Sequence, residues 1–296
     1  MKVFIVGSLN MDLVIRAPFV PEQGMTIHGE GFMSNPGGKG ANQAVAVSKL
    51  GASAYMVGAV GKEFGEELAS TLRGYGVNCD FLAKYDDVSS GIAVIVVTDG
   101  DNRIILEKGA NARLSKEQVD KALEQAEAGD YLVAQLETDL DVVTYALNRA
   151  KEKGMTTVLN PAPAQALQAE LLSACDYFMP NQTEAEFYTG IYPSDEKSAR
   201  ECAKKLGTFG VRNIVVTMGS KGAAYVCDGK YGEVEAVSAN AIDTTAAGDT
   251  FVGGFVTALS EGKSVEKAIA FANKAASVTV TRRGAQQSIP YRKEIE

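Results

Sequence analysis

The chain has 296 residues, 46% hydrophobic and 22% charged, with 37 acidic against 29 basic side chains and a formal net charge of −8. That is the composition of a globular protein long enough for a sizeable core, neither disordered nor fibrous. The acidic balance, with no basic run beyond Arg282-Arg283, speaks against nucleic acid as the main partner, and no apolar stretch has the length of a membrane span.

In chain order, residues 3–7 form a short apolar run ended by Gly7. It reads as a buried strand, too short for the core of a signal peptide, and cytoplasm is the expected location. Asn10 and Asp12 follow. In extended backbone they share a face, where the Asp suits the vicinal hydroxyls of a sugar; a strand-end turn is the other reading. Gly37-Gly38-Lys39-Gly40-Ala41-Asn42-Gln43 opens a helix over 40–50 that Gly51 stops. The spacing is not that of a P-loop. Its glycines allow a ligand close to the backbone, and Lys39 and Asn42 suit neutral hydroxyls; a glycine-rich turn with a solvated lysine is the alternative. A strand over 55–60 and a helix over 63–75 come next.

The rhythm then changes. Residues 91–97 and 103–106 read as two strands joined by Asp99-Gly100-Asp101-Asn102, a hairpin signal. With the Gly- and Pro-rich stretch 15–33, which lacks helical periodicity, they suggest a small separate sheet. His28 lies in that stretch as a surface or lid residue.

From Ser115 the α/β alternation returns. Ser115 to Gln118 forms a capping box for a helix to about residue 128. Strands are expected over 131–136, 156–159, 177–179 and 214–217, and an edge hairpin over 223–227 and 232–237. Helices are expected over 140–153, 166–173, 185–189, 198–208, 247–260 and 265–280. This pattern predicts an α/β fold, a mostly parallel central sheet with helices on both faces plus a small β-sheet. Ligands bind such sheets at the carboxyl ends of strands. The polar residues collected there are Asn10, Asp12, Glu137, Asn160, Asn181, Glu184, Thr217 and Gly219. Cys79, Cys175, Cys202 and Cys227 are widely spaced and, with a single histidine, read as buried free thiols rather than a zinc site.

Asp243-Thr244-Thr245-Ala246-Ala247-Gly248-Asp249-Thr250-Phe251 is the most informative stretch. A loop of small residues entering a helix gathers backbone N–H groups and the positive end of the helix dipole, an anion site. Asp249 beside it is suited to take a proton from a hydroxyl that attacks a phosphate. Asn181-Gln182-Thr183-Glu184 stands between a strand and a helix, either near magnesium-bound water and phosphate or as a helix cap. Thr217-Met218-Gly219-Ser220-Lys221-Gly222 follows a strand and offers backbone and hydroxyl groups to nucleotide phosphates, although many such connections look alike.

Taken together, Gly37 to Ala44 and Asp243 to Phe251 resemble the PfkB carbohydrate kinase family, its ribokinase branch in particular. Gly7-Ser8-Leu9-Asn10-Met11-Asp12, Gln135-Leu136-Glu137, Asn160-Pro161-Ala162-Pro163-Ala164, Asn181 to Glu186 and Thr281-Arg282-Arg283-Gly284-Ala285-Gln286 match as well, so the resemblance spans essentially the whole chain. It implies one ribokinase-like domain over 1–296 with a β-sheet lid from segments about 12–35 and 90–108, a lid that pairs subunits into a homodimer. The implied reaction is ATP-dependent phosphorylation of D-ribose at its 5-hydroxyl. Deoxyribokinase, or another sugar or nucleoside kinase of the family, is the alternative. By the same resemblance Asp249 is the base, and the N–H groups of Ala246, Ala247 and Gly248 form the anion hole. The sugar is held by Asn10, Met11, Asp12, Gly38, Lys39, Gly40, Ala41, Asn42 and Glu137. ATP is held by Asn181, Glu184, Thr217, Met218, Gly219, Ser220, Lys221, Gly222, Gly248 and Asn273, with Mg²⁺ near Asn181 and Glu184. A monovalent cation, K⁺, falls to Asp243, Thr245, Thr279, Arg282, Gly284 and Ser288; a cation there also relieves the repulsion between Asp243 and the anion site. Asn273 departs from a frequent histidine, which bears on adenine stacking, and Gln182 from a common Glu.

Overall fold

The computed structural model describes residues 1–98 and 101–296, so Asp99 and Gly100 of the expected hairpin turn lie outside the described residues. The strands are β1 (Lys2–Val6), β2 (Asn10–Arg16), β3 (Glu30–Gly37), β4 (Ser53–Val60), β5 (Asn78–Lys84), β6 (Gly91–Thr98), β7 (Asp101–Glu107), β8 (Tyr131–Ala134), β9 (Thr156–Leu159), β10 (Tyr177–Phe178), β11 (Asn213–Thr217), β12 (Ala223–Cys227) and β13 (Lys230–Val234). The helices are α1 (Lys39–Lys49), α2 (Gly65–Gly74), α3 (Lys116–Leu123), α4 (Leu140–Glu152), α5 (Ala169–Ser173), α6 (Gln182–Thr189), α7 (Glu196–Gly207), α8 (Ala247–Ser260) and α9 (Val265–Thr279).

Nine strands form one sheet in the order β13-β12-β11-β10-β9-β8-β1-β4-β5. Its pairings are parallel except for the antiparallel β11–β12–β13 edge, the mostly parallel sheet expected from the alternation. Strand β1 shows why such a strand is apolar throughout. Val3 and Ile5 enter the core beneath α1, α8 and α9, while Phe4 and Val6 enter the core on the other face, under α3 and α4. A strand covered on both faces reads as a continuous hydrophobic run.

The second sheet has four strands in the order β3-β2-β6-β7, with β2 and β6 parallel. Asn10 and Asp12 therefore do not trail β1; they open β2, and the small sheet starts inside the site motif. The β6–β7 hairpin forms with Thr98 paired to Asp101. Strand β5 has no counterpart among the expected strands. It is a half-buried edge with polar residues at both ends, and its short apolar pattern gave no signal. Helix α3 stops at Leu123, earlier than its pattern suggested, and its capping box is present.

Helices α1 and α8 position the site. Both are buried on nearly every side, which fits their lack of charged residues after the first turn, Lys49 excepted. A Cβ added at Gly253 of α8 would lie 2.4 Å from the Cβ of Ala46 on α1. Only glycine lets the two axes approach so closely, and that approach brings the first turn of α1 beside the first turn of α8.

Candidate active site

The chain leaves β1 for β4 and β5 on one side and reaches β8 on the other, so the sheet changes direction between β1 and β8. Open α/β sheets bind ligands at such a point. Glu137, just past β8, gathers three donors on Oε2: Ser8 Oγ at 2.5 Å, the Lys39 N–H at 3.2 Å and Asn10 Nδ2 at 3.4 Å. Asn10 is oriented by buried Asn111, whose Nδ2 donates to Asn10 Oδ1 at 2.8 Å and to the Leu9 carbonyl at 3.1 Å. A Cβ at Gly40 would stand 2.6 Å from the Ser8 nitrogen. The glycine there lets α1 seat closely on the chain's own β1–β2 backbone.

Charge is concentrated around Lys39. Burial pulls its ammonium down, but Asp249, Glu137, Glu184 and Asp12 outweigh that and hold it above its ordinary value. Burial pushes Asp12 the other way, up to about 7, reinforced by the Glu137 and Asp249 carboxylates and only partly relieved by Lys39.

Asp249 is buried in the first turn of α8. Asn42 Nδ2 donates to its Oδ2 at 2.9 Å and Gln43 Nε2 to its Oδ1 at 3.0 Å. Ahead of it, Ala246 has φ +59°, a left-handed conformation that costs a residue with a Cβ about 1 kcal/mol. That turn ends the loop abruptly and leaves the first N–H groups of α8 without carbonyl partners inside the helix; the Ala247 N–H reaches the Thr244 carbonyl at 3.2 Å.

The preceding loop is tied to the segment after α9. Asp243 Oδ1 accepts from the Thr245 N–H at 2.9 Å and Oδ2 from the Gly284 N–H at 3.0 Å. Burial alone would raise Asp243, but these bonds and the Arg283 charge prevail and keep it below the usual carboxylate range. Thr279 is buried, with its hydroxyl on Thr250 Oγ1 at 3.0 Å and its carbonyl accepting the Arg282 N–H at 3.0 Å. Ser288 donates to the Ala285 carbonyl at 2.7 Å. A cavity of about 380 Å³ separates this loop from the small sheet, lined by Asp12, Val14, Asn35, Ile95, Asp243 and Gly284 among others.

At the ends of β10 and β11, Asn181 and Glu184 form a capping box on α6, each accepting the other's backbone N–H at 2.8 Å. Burial raises Glu184, and the Asn181 N–H and Lys39 offset part of that. The Thr217 N–H meets the Pro180 carbonyl at 3.0 Å, so the two strand ends are adjacent. Met218 and Gly222 close the next turn on each other at 2.7 Å; Gly219, Ser220 and Lys221 are exposed on it. Asn273 is buried on α9 and donates to the Val234 and Glu235 carbonyls at 3.2 and 3.0 Å.

Residues 1–292 match the pattern of the pfkB family carbohydrate kinases. This chain belongs to the PfkB family. It is 42% identical to the ribokinase of Haemophilus influenzae over 292 residues, covering 98% of this chain and 95% of that one. It is 37% identical to the deoxyribokinase of Salmonella typhi, covering 98% and 96%. Among solved structures, ribokinase of Arabidopsis thaliana complexed with ribose and ATP superposes with a TM-score of 0.91 at 32% identity, covering 99% of this chain and 96% of that one.

The PfkB chain is a kinase, a phosphotransferase with an alcohol acceptor, on a ribokinase-like α/β fold with a separate small sheet. Of the residues named from sequence, Asn10, Asp12, Lys39, Asn42, Glu137, Glu184 and Asp249 converge through hydrogen bonds or mutual electrostatics. Thr217 and Asn181 meet at the strand ends, while Asn273 turns its amide to backbone carbonyls. Reading by motif did not assign Ser8, Gln43, Asn111 or Gln135. Ser8 and Gln135 carried a signal, since each stands two residues from a chosen strand-end residue and shares its face when the chain is extended. Asn111 had none, because its partner is 101 residues away.

Proposed function

We propose that this kinase transfers the γ-phosphoryl group of ATP to the 5-hydroxyl of D-ribose, giving ADP and D-ribose 5-phosphate. The observation that carries the reading is one buried carboxylate, Asp249, at the open start of α8 and hydrogen-bonded to Asn42 of the glycine-rich motif. Asp249 takes the hydroxyl proton, the freed oxygen bonds to the γ-phosphorus, and the bond to the bridging oxygen breaks with its electron pair leaving on ADP. The N–H groups of Ala246, Ala247 and Gly248 meet the charge on the moving group, that of Ala247 on leaving the Thr244 carbonyl; a preorganised donor of this kind is worth roughly 3 kcal/mol.

Asn10, Asp12, Lys39, Asn42 and Glu137 hold the sugar, beside Met11, Gly38, Gly40 and Ala41. Asn42 Oδ1 is buried without a partner among the described residues, an acceptor that a sugar hydroxyl would fill. Asn181, Glu184, the Thr217–Gly222 turn, Gly248 and Asn273 serve ATP. Mg²⁺ keeps several waters and needs only one or two carboxylates beside phosphate, which Glu184 fits; it supplies neutralising charge on the phosphates. The oxygens around Asp243, Thr245, Thr279, Arg282, Gly284 and Ser288 fit a hard monovalent cation such as K⁺, which supplies fixed charge beside the anion hole. The small sheet acts as a lid over the sugar, and the enzyme works in the cytoplasm.

The test is a panel of sugars and nucleosides with ATP and Mg²⁺, in K⁺ and in Na⁺. D-ribose should turn over fastest, and 2-deoxyribose should lose about tenfold or more in kcat/KM, as expected for an unpaired contact to a charged group. Na⁺ should lower the rate. Faster turnover of 2-deoxyribose or of a nucleoside would overturn the substrate assignment, and equal rates in both salts the cation site.

A further inference from the structure

Three buried side chains from three parts of the fold meet behind the carboxylate of Asp249: Gln43 from α1, Gln135 past β8 and Asn160 past β9. Asn160 Nδ2 donates to the Met179 carbonyl at 2.9 Å; Gln43 Nε2 donates to Asn160 Oδ1 at 3.1 Å and to Asp249 Oδ1 at 3.0 Å; Gln135 Nε2 donates to Gln43 Oε1 at 2.6 Å.

The direction of every bond is forced. The Met179 carbonyl only accepts, so Asn160 must present its NH₂ there and its oxygen to Gln43. An ionised Asp249 only accepts, so Gln43 must present its NH₂ to both carboxamide and carboxylate. Its two amide hydrogens are then fully used and its oxygen is left for Gln135. Gln135 Oε1 is buried against Gly7, where an added Cβ would lie 2.1 Å from it, and has no hydrogen-bond partner among the described residues. No amide in the chain can flip without setting like groups against each other. Gln43 is otherwise surrounded along α1 by buried Ala44, Val45, Ala46 and Val47, where an amide is costly unless satisfied.

We propose that Gln43 is a positioning residue for the catalytic base, holding one carboxylate oxygen of Asp249 in a fixed orientation through a directed chain anchored at the Met179 carbonyl, with Gln135 donating to Gln43 from the other side. Asn42 fixes the other oxygen. Each oxygen keeps a lone pair, and rotation about the carboxylate is blocked, so the pair that receives the hydroxyl proton has one direction. The chain also ties the base to the end of β10, two residues before Asn181. This inference rests on Asp249 acting as the base.

The experiment is a double-mutant cycle of Gln43→Met with Asp249→Asn, reading kcat, KM for ribose and ATP, and transfer of radiolabelled γ-phosphate over hours for the slow variants. Gln43→Met should lower kcat about tenfold to hundredfold, with both KM values within about twofold, as for a contact that acts in the transition state. On the Asp249→Asn background it should have no further effect. Gln135→Met, one bond further away, should lower kcat less with the same loss of additivity, and it carries the test if Gln43→Met does not fold. Unchanged kcat, or an equal loss on both backgrounds, would overturn the positioning role while leaving the base intact. Near-normal turnover of Asp249→Asn alone would instead overturn the base, and the inference with it.

Discussion

At the scale of single residues, the site is a balance of acids around one lysine. Asp12 is the member that this balance leaves near neutrality, because burial and two neighbouring carboxylates act against its charge. Its pKa is about 7 in the folded protein against 3.8 for the unperturbed group. The sign follows from linkage: a raised acid contributes stability that is full below the unperturbed value and is lost as pH rises through about 7. A sugar held by accepting carboxylate oxygens favours the ionised form. Ribose binding should therefore release close to one proton at pH about 6 and almost none at pH about 8, with affinity rising between them. Calorimetric titration in buffers of different ionisation enthalpy measures the proton count; Asp12→Asn should abolish the release, and no release by the unaltered enzyme at the lower pH would contradict the assignment.

At the scale of elements, two helices start in the same way for different ends. Asn181 and Glu184 cap α6 at the strand ends, and Asp195 and Ser198 cap α7, where Asp195 is exposed at the surface. Replacing either Asn181 or Asp195 by Ala should cost about 1 kcal/mol of stability, the usual worth of an N-cap. Only Asn181→Ala should also raise KM for ATP. Thermal unfolding and ATP titration of the two variants separate the cap from the nucleotide role; an unchanged KM in Asn181→Ala would leave that residue as a cap alone. The two readings of this motif have the same root, since one Asn-x-x-Glu spacing satisfies a helix start and also sets a carboxylate beside the strand ends. Helix α8 was easier to read. Its small-residue loop makes a poor cap, and Ala246 in left-handed backbone shows that the turn is held against its local preference.

At the scale of the molecule, the small sheet is the part least explained by the chain alone. Phe32 on edge strand β3, and Ile104, Ile105 and Leu106 on edge strand β7, are all exposed. Exposed apolar edge strands invite pairing with another sheet, and a second copy of this chain is the proposed partner. Sedimentation should give a dimer, and Ile105→Lys should shift it to monomer; a monomeric unaltered protein would refute this. Strands β6 and β7 were legible from their hairpin turn, and β2 and β3 only through the Gly- and Pro-rich stretch 15–33 that breaks the α/β rhythm. Their order was not, because the parallel pairing of β2 with β6 joins segments separated by most of two α/β units.

The sequence by itself determined the class of fold, the glycine-rich start of α1, and Asp249 at the start of α8, since each rests on local spacing, on turn chemistry or on the apolar period of a strand. Only the tertiary structure decided which groups touch. Asn111 under Asn10, Ser8 on Glu137 and the chain from Gln135 through Gln43 to Asp249 join residues from 92 to 206 positions apart. Such contacts depend on the close packing of α1 on α8 and on the change of direction between β1 and β8, and no local pattern along the chain encodes a distance between elements.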